Sequence, residues 1–167
     1  FFGLAGLLTI SFLILLLFYR DTNVVTEVSE DEIRPAQAIF KQPKLILAIV
    51  SAAMAYSIMS LIMTATPLSM HEIERYSLES TTRVLQSHIL AMYAPSFFSG
   101  LLISKLGVFR VIKSGLAVMT LSIFVGSGEP GYIDYWVALI FLGIGWNFLY
   151  LGGTTLLTQC YRSSERF

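Results

Sequence analysis

The run from Trp136 to Thr158, WVALIFLGIGWNFLYLGGTTLLT, holds 23 residues and no charge. At 1.5 Å per helical residue it reaches about 34 Å, enough to cross a hydrocarbon core of about 30 Å. It also carries a polar stripe: Gly143, Asn147, Leu151, Thr154 and Thr158 fall within one narrow sector when each residue advances the helix by about 100°. Asn147 is the twelfth of the 23 residues, at midplane depth. A side-chain amide is costly in hydrocarbon unless something pairs with it. That face must therefore meet another helix or a wet cavity. Interhelical hydrogen bonding and a wall facing a solute both satisfy the requirement.

Composition agrees with a membrane setting. The chain is 55% hydrophobic and 13% charged, against about 25% charged in soluble domains. Eleven basic and eleven acidic residues cancel, which gives no reason to expect a nucleic-acid partner. The single cysteine, Cys160, excludes an intrachain disulfide. No cofactor or metal site is expected: His71, Glu72 and Glu74 lie in one polar loop without the spacing of a ligand set. The chain opens inside an apolar run at Phe1 and closes on the polar segment from Arg162 to Phe167, and so reads as an internal piece of a longer protein. Its expected partners are the bilayer, a small solute and further helices of that longer chain.

Five spans are expected in an all-α architecture: 1–18, 45–66, 84–104, 108–127 and 136–158. Residues 19–44 form the longest polar stretch, where DEIRPAQAIFKQ suits a short amphipathic helix ended by Pro43. Residues 67–83 read as a loop, with Ser80 or Thr81 capping the helix that follows. Pro95 predicts a kink near Ala91, and small residues at Ser51, Ala52, Ala53 and Ala55 predict close approach of a neighbouring helix. Placing 19–44, 105–113 and 159–167 on one side collects nine of the eleven Lys and Arg residues, leaving Arg75 and Arg83 opposite. The positive-inside rule makes the first side cytoplasmic.

Spans one and four are uniformly apolar, as lipid-facing helices are. Spans two, three and five carry the polar and aromatic groups: Tyr56, Ser60, Thr64, Tyr93, Trp146, Asn147, Tyr150 and Thr154. Tyr56, Tyr93 and Asn147 lie at a similar depth, so these residues are candidates to contact a small organic solute, ring-bearing or amphipathic. Mutual satisfaction of the same groups is the competing explanation. His88, about 6 Å below the outer end when counted from Val84, is a candidate for proton coupling. It shares a face with Met92, Pro95 and Ser99. Gly143-x-Gly lacks the lysine of a phosphate-binding loop, so ATP-driven pumping is unsupported. A membrane-embedded hydrolase built on His88 and His71 would lack a nucleophile. A receptor or scaffold without transport remains a rival.

The segment GLLISKLGVFR, from Gly100 to Arg110, resembles the loop motif G-x-x-x-D-[RK]-x-G-[RK]-[RK] of the major facilitator superfamily. GIGWNFLYLGGTT from Gly143, MTATPL from Met63 and YAPSFF from Tyr93 resemble a bacterial branch of that family. Gly100, Lys105 and Gly107 match the motif; Ser104 replaces its acid, and Val108 and Phe109 replace two of its basic residues. The resemblance implies the sixth to tenth helices of a twelve-helix secondary carrier that is not an enzyme. Residues 1–18 would end the first bundle, 19–44 would be the central cytoplasmic loop, and 45–167 would belong to the second bundle. It implies alternating access across the cytoplasmic membrane, usually coupled to protons or another solute. The seventh, eighth and tenth helices would line the cavity. Lys105 and Arg110 would serve cytoplasmic loop packing.

Overall fold

A computed structural model describes residues 34–128, 131–162 and 165. The first expected span, 1–18, and the loop up to residue 33 lie outside the described residues. The contacts below fall within the compact unit Ile33–Phe167.

Every regular element among the described residues is helical: α1 (Ala36–Phe40), α2 (Pro43–Leu68) with a π-helical continuation (Ser69–Ile73), α3 (Leu78–Tyr93), α4 (Ser96–Leu106), α5 (Val108–Gly126) and α6 (Tyr132–Thr158). Three helical segments are long and apolar enough to cross a membrane: Pro43–Ile73, Val108–Gly126 and Tyr132–Thr158. The bent pair Leu78–Tyr93 and Ser96–Leu106 makes a fourth if taken as one span. This is an all-α membrane fold.

Helix α6 is the hub, with α2, α3 and α5 packed around it. Lipid tails are as apolar as leucine, so helices in a bilayer associate through close packing and hydrogen bonds rather than hydrophobic sorting. Glycines on three sides of α6 supply the close packing. A methyl group at Gly143 would sit 2.8 Å from the His88 carbonyl oxygen on α3. One at Gly145 would sit 2.9 Å from the Met119 nitrogen on α5, and one at Gly153 would sit 2.9 Å from the Ala48 carbonyl oxygen on α2. Ala52 also lines that last contact, and Ser51 and Ala55 are buried beside it, as the small residues of the second span predict; Ala53, the fourth of them, is exposed. Between α5 and α6, Ser122 donates to the Ala138 carbonyl at 2.7 Å in a buried position.

Several boundaries differ from the sequence expectations. Pro43 does not end the short helix; it begins α2, where its fixed φ and missing N–H suit the first turn. The short helix itself covers only Ala36–Phe40 and buries none of its residues. The expected loop 67–83 shrinks to residues 74–77. Pro67 sits inside α2, and the chain continues helically to Ile73, closed by Glu74 N–H to the Ser69 carbonyl at 3.0 Å. A membrane helix tolerates the hydrogen bond missing at Pro67, and beyond it Met70 is buried with Val84 and Leu139. Because α3 starts earlier than expected, its cap is Ser77, whose hydroxyl oxygen accepts from the Ser80 N–H at 3.1 Å.

The third span is two helices. The break falls at Ala94–Pro95 rather than near Ala91, with a bend of 40°. A proline ring clashes with the carbonyl four residues earlier, here that of Ala91. The chain resolves the clash by restarting: the Pro95 carbonyl accepts from Phe98 and Ser99 N–H groups and from the Ser99 hydroxyl.

Candidate functional site

The polar stripe of α6 faces the kinked pair α3/α4. Asn147 is buried, and its amide nitrogen donates to the Met92 carbonyl at 2.8 Å and to the Ser96 hydroxyl at 2.6 Å. Its amide oxygen lies 2.9 Å from the Ser99 hydroxyl, whose one hydrogen it shares with the Pro95 carbonyl. These bonds sit at the proline break, where α3 gives up its ladder and α4 starts a new one. Asn147 thus works as an interhelical clasp at the kink. Ser99 shares the sequence stripe of His88 and Met92, and all three are buried against α6. Ser96 carried no sequence signal, because its role depends on the bend.

His88 is fully buried, ten residues into α3, and so about 15 Å along that helix from Leu78. Its Nδ1 lies 2.8 Å from the Leu139 carbonyl oxygen. A carbonyl only accepts, so Nδ1 carries a hydrogen in this contact. Among the described residues Nε2 has no hydrogen-bond partner.

A second constellation lies between α2 and α6. Trp146 and Tyr150, four residues apart, are stacked with centroids 5.0 Å apart and planes 9° from parallel. Tyr56 on α2 meets both edge-on, at 5.6 Å and 5.4 Å with planes inclined by 71°. Such edge-to-face pairs contribute about 0.5–1.5 kcal/mol beyond their buried area. Trp146 is 8% exposed and Tyr56 is 50% exposed, so the cluster has a closed back and an open front. The open front continues along α2 as a shallow groove of about 510 Å³ lined by Tyr56, Ser57, Ser60, Leu61 and Thr64.

Five of the candidate residues therefore come together: Tyr56, Ser60, Thr64, Trp146 and Tyr150. Thr154 points its hydroxyl back to the Tyr150 and Leu151 carbonyls. Tyr93 is exposed beside the α3/α4 break. His71 bonds the Tyr76 carbonyl within its own loop at 3.0 Å. In the loop segment, Gly107 takes φ +84° between α4 and α5, a conformation that favours glycine. Among the described residues Gly100 has open space beside it, and Lys105 and Arg110 are exposed.

The Major Facilitator Superfamily profile matches residues 1–166. The chain belongs to that superfamily. A riboflavin transporter of Brucella anthropi is 35% identical over 147 residues, which cover 88% of this chain and 36% of the relative. Two uncharacterized transporters of the same superfamily from Bacillus subtilis, YddS and YdeG, are 35% and 33% identical over 115 and 111 residues. These matches cover 68% and 65% of this chain and 26% of each relative. The chain thus spans about a third or less of the curated relatives it matches. No solved structure matches it. As a superfamily member the chain is part of a multi-pass membrane protein, and its α6 glycines, within GIGWNFLYLGG, lie at the contacts with α2, α3 and α5.

One contact of this superfamily segment had no sequence signal. Arg34, ahead of α1, reaches Glu165 with two bonds of 2.7 Å, and Glu165 also accepts the Arg162 N–H at 2.8 Å. Arg34 and Gln42 both donate to the Cys160 carbonyl at the end of α6, at 3.2 Å and 3.1 Å. The Arg34 guanidinium, helped by the Arg162 N–H, holds the Glu165 carboxyl down at about 2. The ion pair ties the lead-in to α2 to the exit of α6, at one end of the bundle. That shared end is what helices of alternating direction require of residues 34–42 and 159–165.

Proposed function

We propose that the full carrier moves a small organic solute by alternating access, and that this segment contributes Tyr56, with Trp146 and Tyr150 behind it, to the solute wall. The observation that carries the reading is the convergence of three aromatic rings from α2 and α6 beside a groove open at Tyr56, Ser60 and Thr64. Aromatic rings with a few polar groups suit an amphipathic organic solute better than an inorganic ion. The riboflavin transporter among the relatives puts riboflavin first among the solutes to test. Proton coupling is the proposed drive, with His88 as the site: a buried imidazole whose Nε2 has no partner among the described residues. Residues 19–44, 105–113 and 159–167 face the cytoplasm in this reading, following the distribution of Lys and Arg.

The test is solute counterflow with the full-length carrier in proteoliposomes, using labelled riboflavin first. Saturable exchange that Tyr56→Ala weakens, and a dependence on the pH gradient that His88→Gln removes, are the expected results. Absence of counterflow for every solute in a broad screen would leave a receptor or scaffold on the same fold.

A further inference from the structure

We propose that the cleft between α3 and α6 seats one phospholipid of the ethanolamine class, with its headgroup on Arg83 and Glu79 and an acyl chain running down to the proline break. The cleft shares no residue with the aromatic cluster of the solute wall, and the inference does not depend on transport.

Two cavities join here. The first, of about 630 Å³, lies toward the start of α3 and is lined there by Arg83 and Gln86, with Tyr132 opposite on α6. The second, of about 330 Å³, is lined by Ala91, Ala94 and Pro95 on one side and by Ile140 and Ile144 of α6 on the other. Ser87, Leu90 and Trp136 line both, so two helices wall one continuous cleft. Glu79, Arg83, Leu90 and Ala94 fall on one face of α3 when each residue advances by about 100°. From Arg83 to Ala94 the helix rises about 16 Å. One leaflet is about 15 Å deep, half of a hydrocarbon core of about 30 Å. The cleft therefore runs the depth of one leaflet, the outer one in the orientation proposed above. It stops at the break that Asn147 clasps.

Polarity changes along the cleft as it does along a lipid. The Ser87 hydroxyl donates to the Arg83 carbonyl at 2.9 Å and accepts the Trp136 indole N–H at 2.7 Å. Both groups thus spend their hydrogens within the protein. Beyond them the lining is Leu90, Ala91, Ala94, Pro95, Ile140 and Ile144, with no polar side chain. A hydrocarbon chain loses nothing there, whereas a polar solute gives up hydration without gaining a partner. The other end is ionic. Arg83 pairs with Glu79 through one guanidinium nitrogen and one carboxylate oxygen, and the two side chains stay 68% and 75% exposed. A guanidinium has five N–H donors and a carboxylate two oxygens, so both keep capacity outward without breaking the pair. A phosphate fits the spare guanidinium donors, and an ammonium group fits the spare carboxylate oxygen. The ethanolamine headgroup carries both charges on one short link. A choline headgroup has no N–H to donate, and a glycerol headgroup sets an anion beside Glu79 with no cation of its own. Tyr132 and Trp136 flank this end, as aromatic rings do at a membrane interface.

The test is native mass spectrometry of the purified full-length carrier, equilibrated with equal amounts of phosphatidylethanolamine, phosphatidylcholine and phosphatidylglycerol of matched acyl chains. One ethanolamine lipid per carrier is expected to survive activation, with about tenfold preference over the other two. The double variant Glu79→Gln/Arg83→Gln, at exposed positions, should lower the count by that one lipid. Ala94→Leu, which fills the cleft from an exposed position, should do the same. Phe97→Leu, exposed and outside the cleft, should leave the count unchanged. Thermal unfolding in detergent is the second measurement. Added phosphatidylethanolamine should raise the melting temperature of the parent by several degrees and leave that of Ala94→Leu where it is. Equal retention of the three lipids or tighter retention of phosphatidylglycerol overturns the inference. So does an ethanolamine count that survives either cleft variant, the result expected if another helix of the carrier fills the cleft.

Discussion

Replacing Gly143 by alanine puts a methyl group where α3 and α6 already touch. It would lie 2.8 Å from the His88 carbonyl oxygen, 3.0 Å from the Ala91 Cβ and 3.0 Å from the Met92 nitrogen. Two of these three atoms are backbone, so no side chain can turn aside to make room. Ordinary carbon contacts need about 3.5–4.0 Å, so the helices must separate by roughly 0.5 Å. Two bonds at this crossing would be stretched: His88 Nδ1–H to the Leu139 carbonyl, and the Asn147 amide to the Met92 carbonyl, both 2.8 Å. Overpacking of this kind costs about 1–3 kcal/mol. Gly100→Ala is the control, because a methyl group there meets nothing within 4 Å among the described residues, and alanine gains up to about 1 kcal/mol in helix propensity. The assay is thermal unfolding of the full carrier in one detergent, reading both variants against the parent. Gly143→Ala is expected to melt several degrees lower, and Gly100→Ala level or higher. Equal melting of the two variants would refute the claim that backbone contact at Gly143 sets the spacing of these helices.

Asn147→Ala removes three interhelical hydrogen bonds, and at about 0.6 kcal/mol each in a bilayer the loss is about 2 kcal/mol, checked by the same melting assay. Arg34→Ala should loosen the end of α6 and speed maleimide labelling of Cys160, now buried, as read by peptide mass spectrometry. The same clasp has a defined acid limit. Glu165 titrates lower in the folded chain than the usual 4.5, so its contribution is complete above the unfolded value and is lost as pH falls toward about 2. Because the thiolate is the reacting form, rates are taken relative to a free thiol at each pH; on that scale Cys160 labelling is expected to stay slow at mildly acidic pH in the parent, and to be fast already at neutral pH in Glu165→Gln.

The sequence by itself determined the class of molecule and the hub of its described part. Uncharged runs long enough to cross a bilayer leave the backbone only the helix as a way to satisfy its own polar groups, so the helices from α2 onward follow from composition and length. The stripe through Asn147 marked α6 as a helix whose face must meet another helix or a cavity, and GIGWNFLYLGGTT carried part of the family resemblance; that its glycines are the points of close approach came only from the packing. What periodicity supplies is the angle of a residue around its own helix. It does not supply the rotation of one helix against another, and so the stripe through Asn147 read equally well as a clasp or as a cavity wall. Tertiary packing is what gives the stripe its partners: the break at Ala94–Pro95 brings Ser96, Ser99 and the Met92 carbonyl onto Asn147. The same packing set Tyr56 edge-on to Trp146 and Tyr150, a meeting of residues some ninety positions apart that no local pattern encodes. Arg34 and Glu165 are an extreme case, 131 positions apart. Each looks like an ordinary surface charge in the sequence, and they become a pair only because an even number of membrane crossings returns the chain to the side it left.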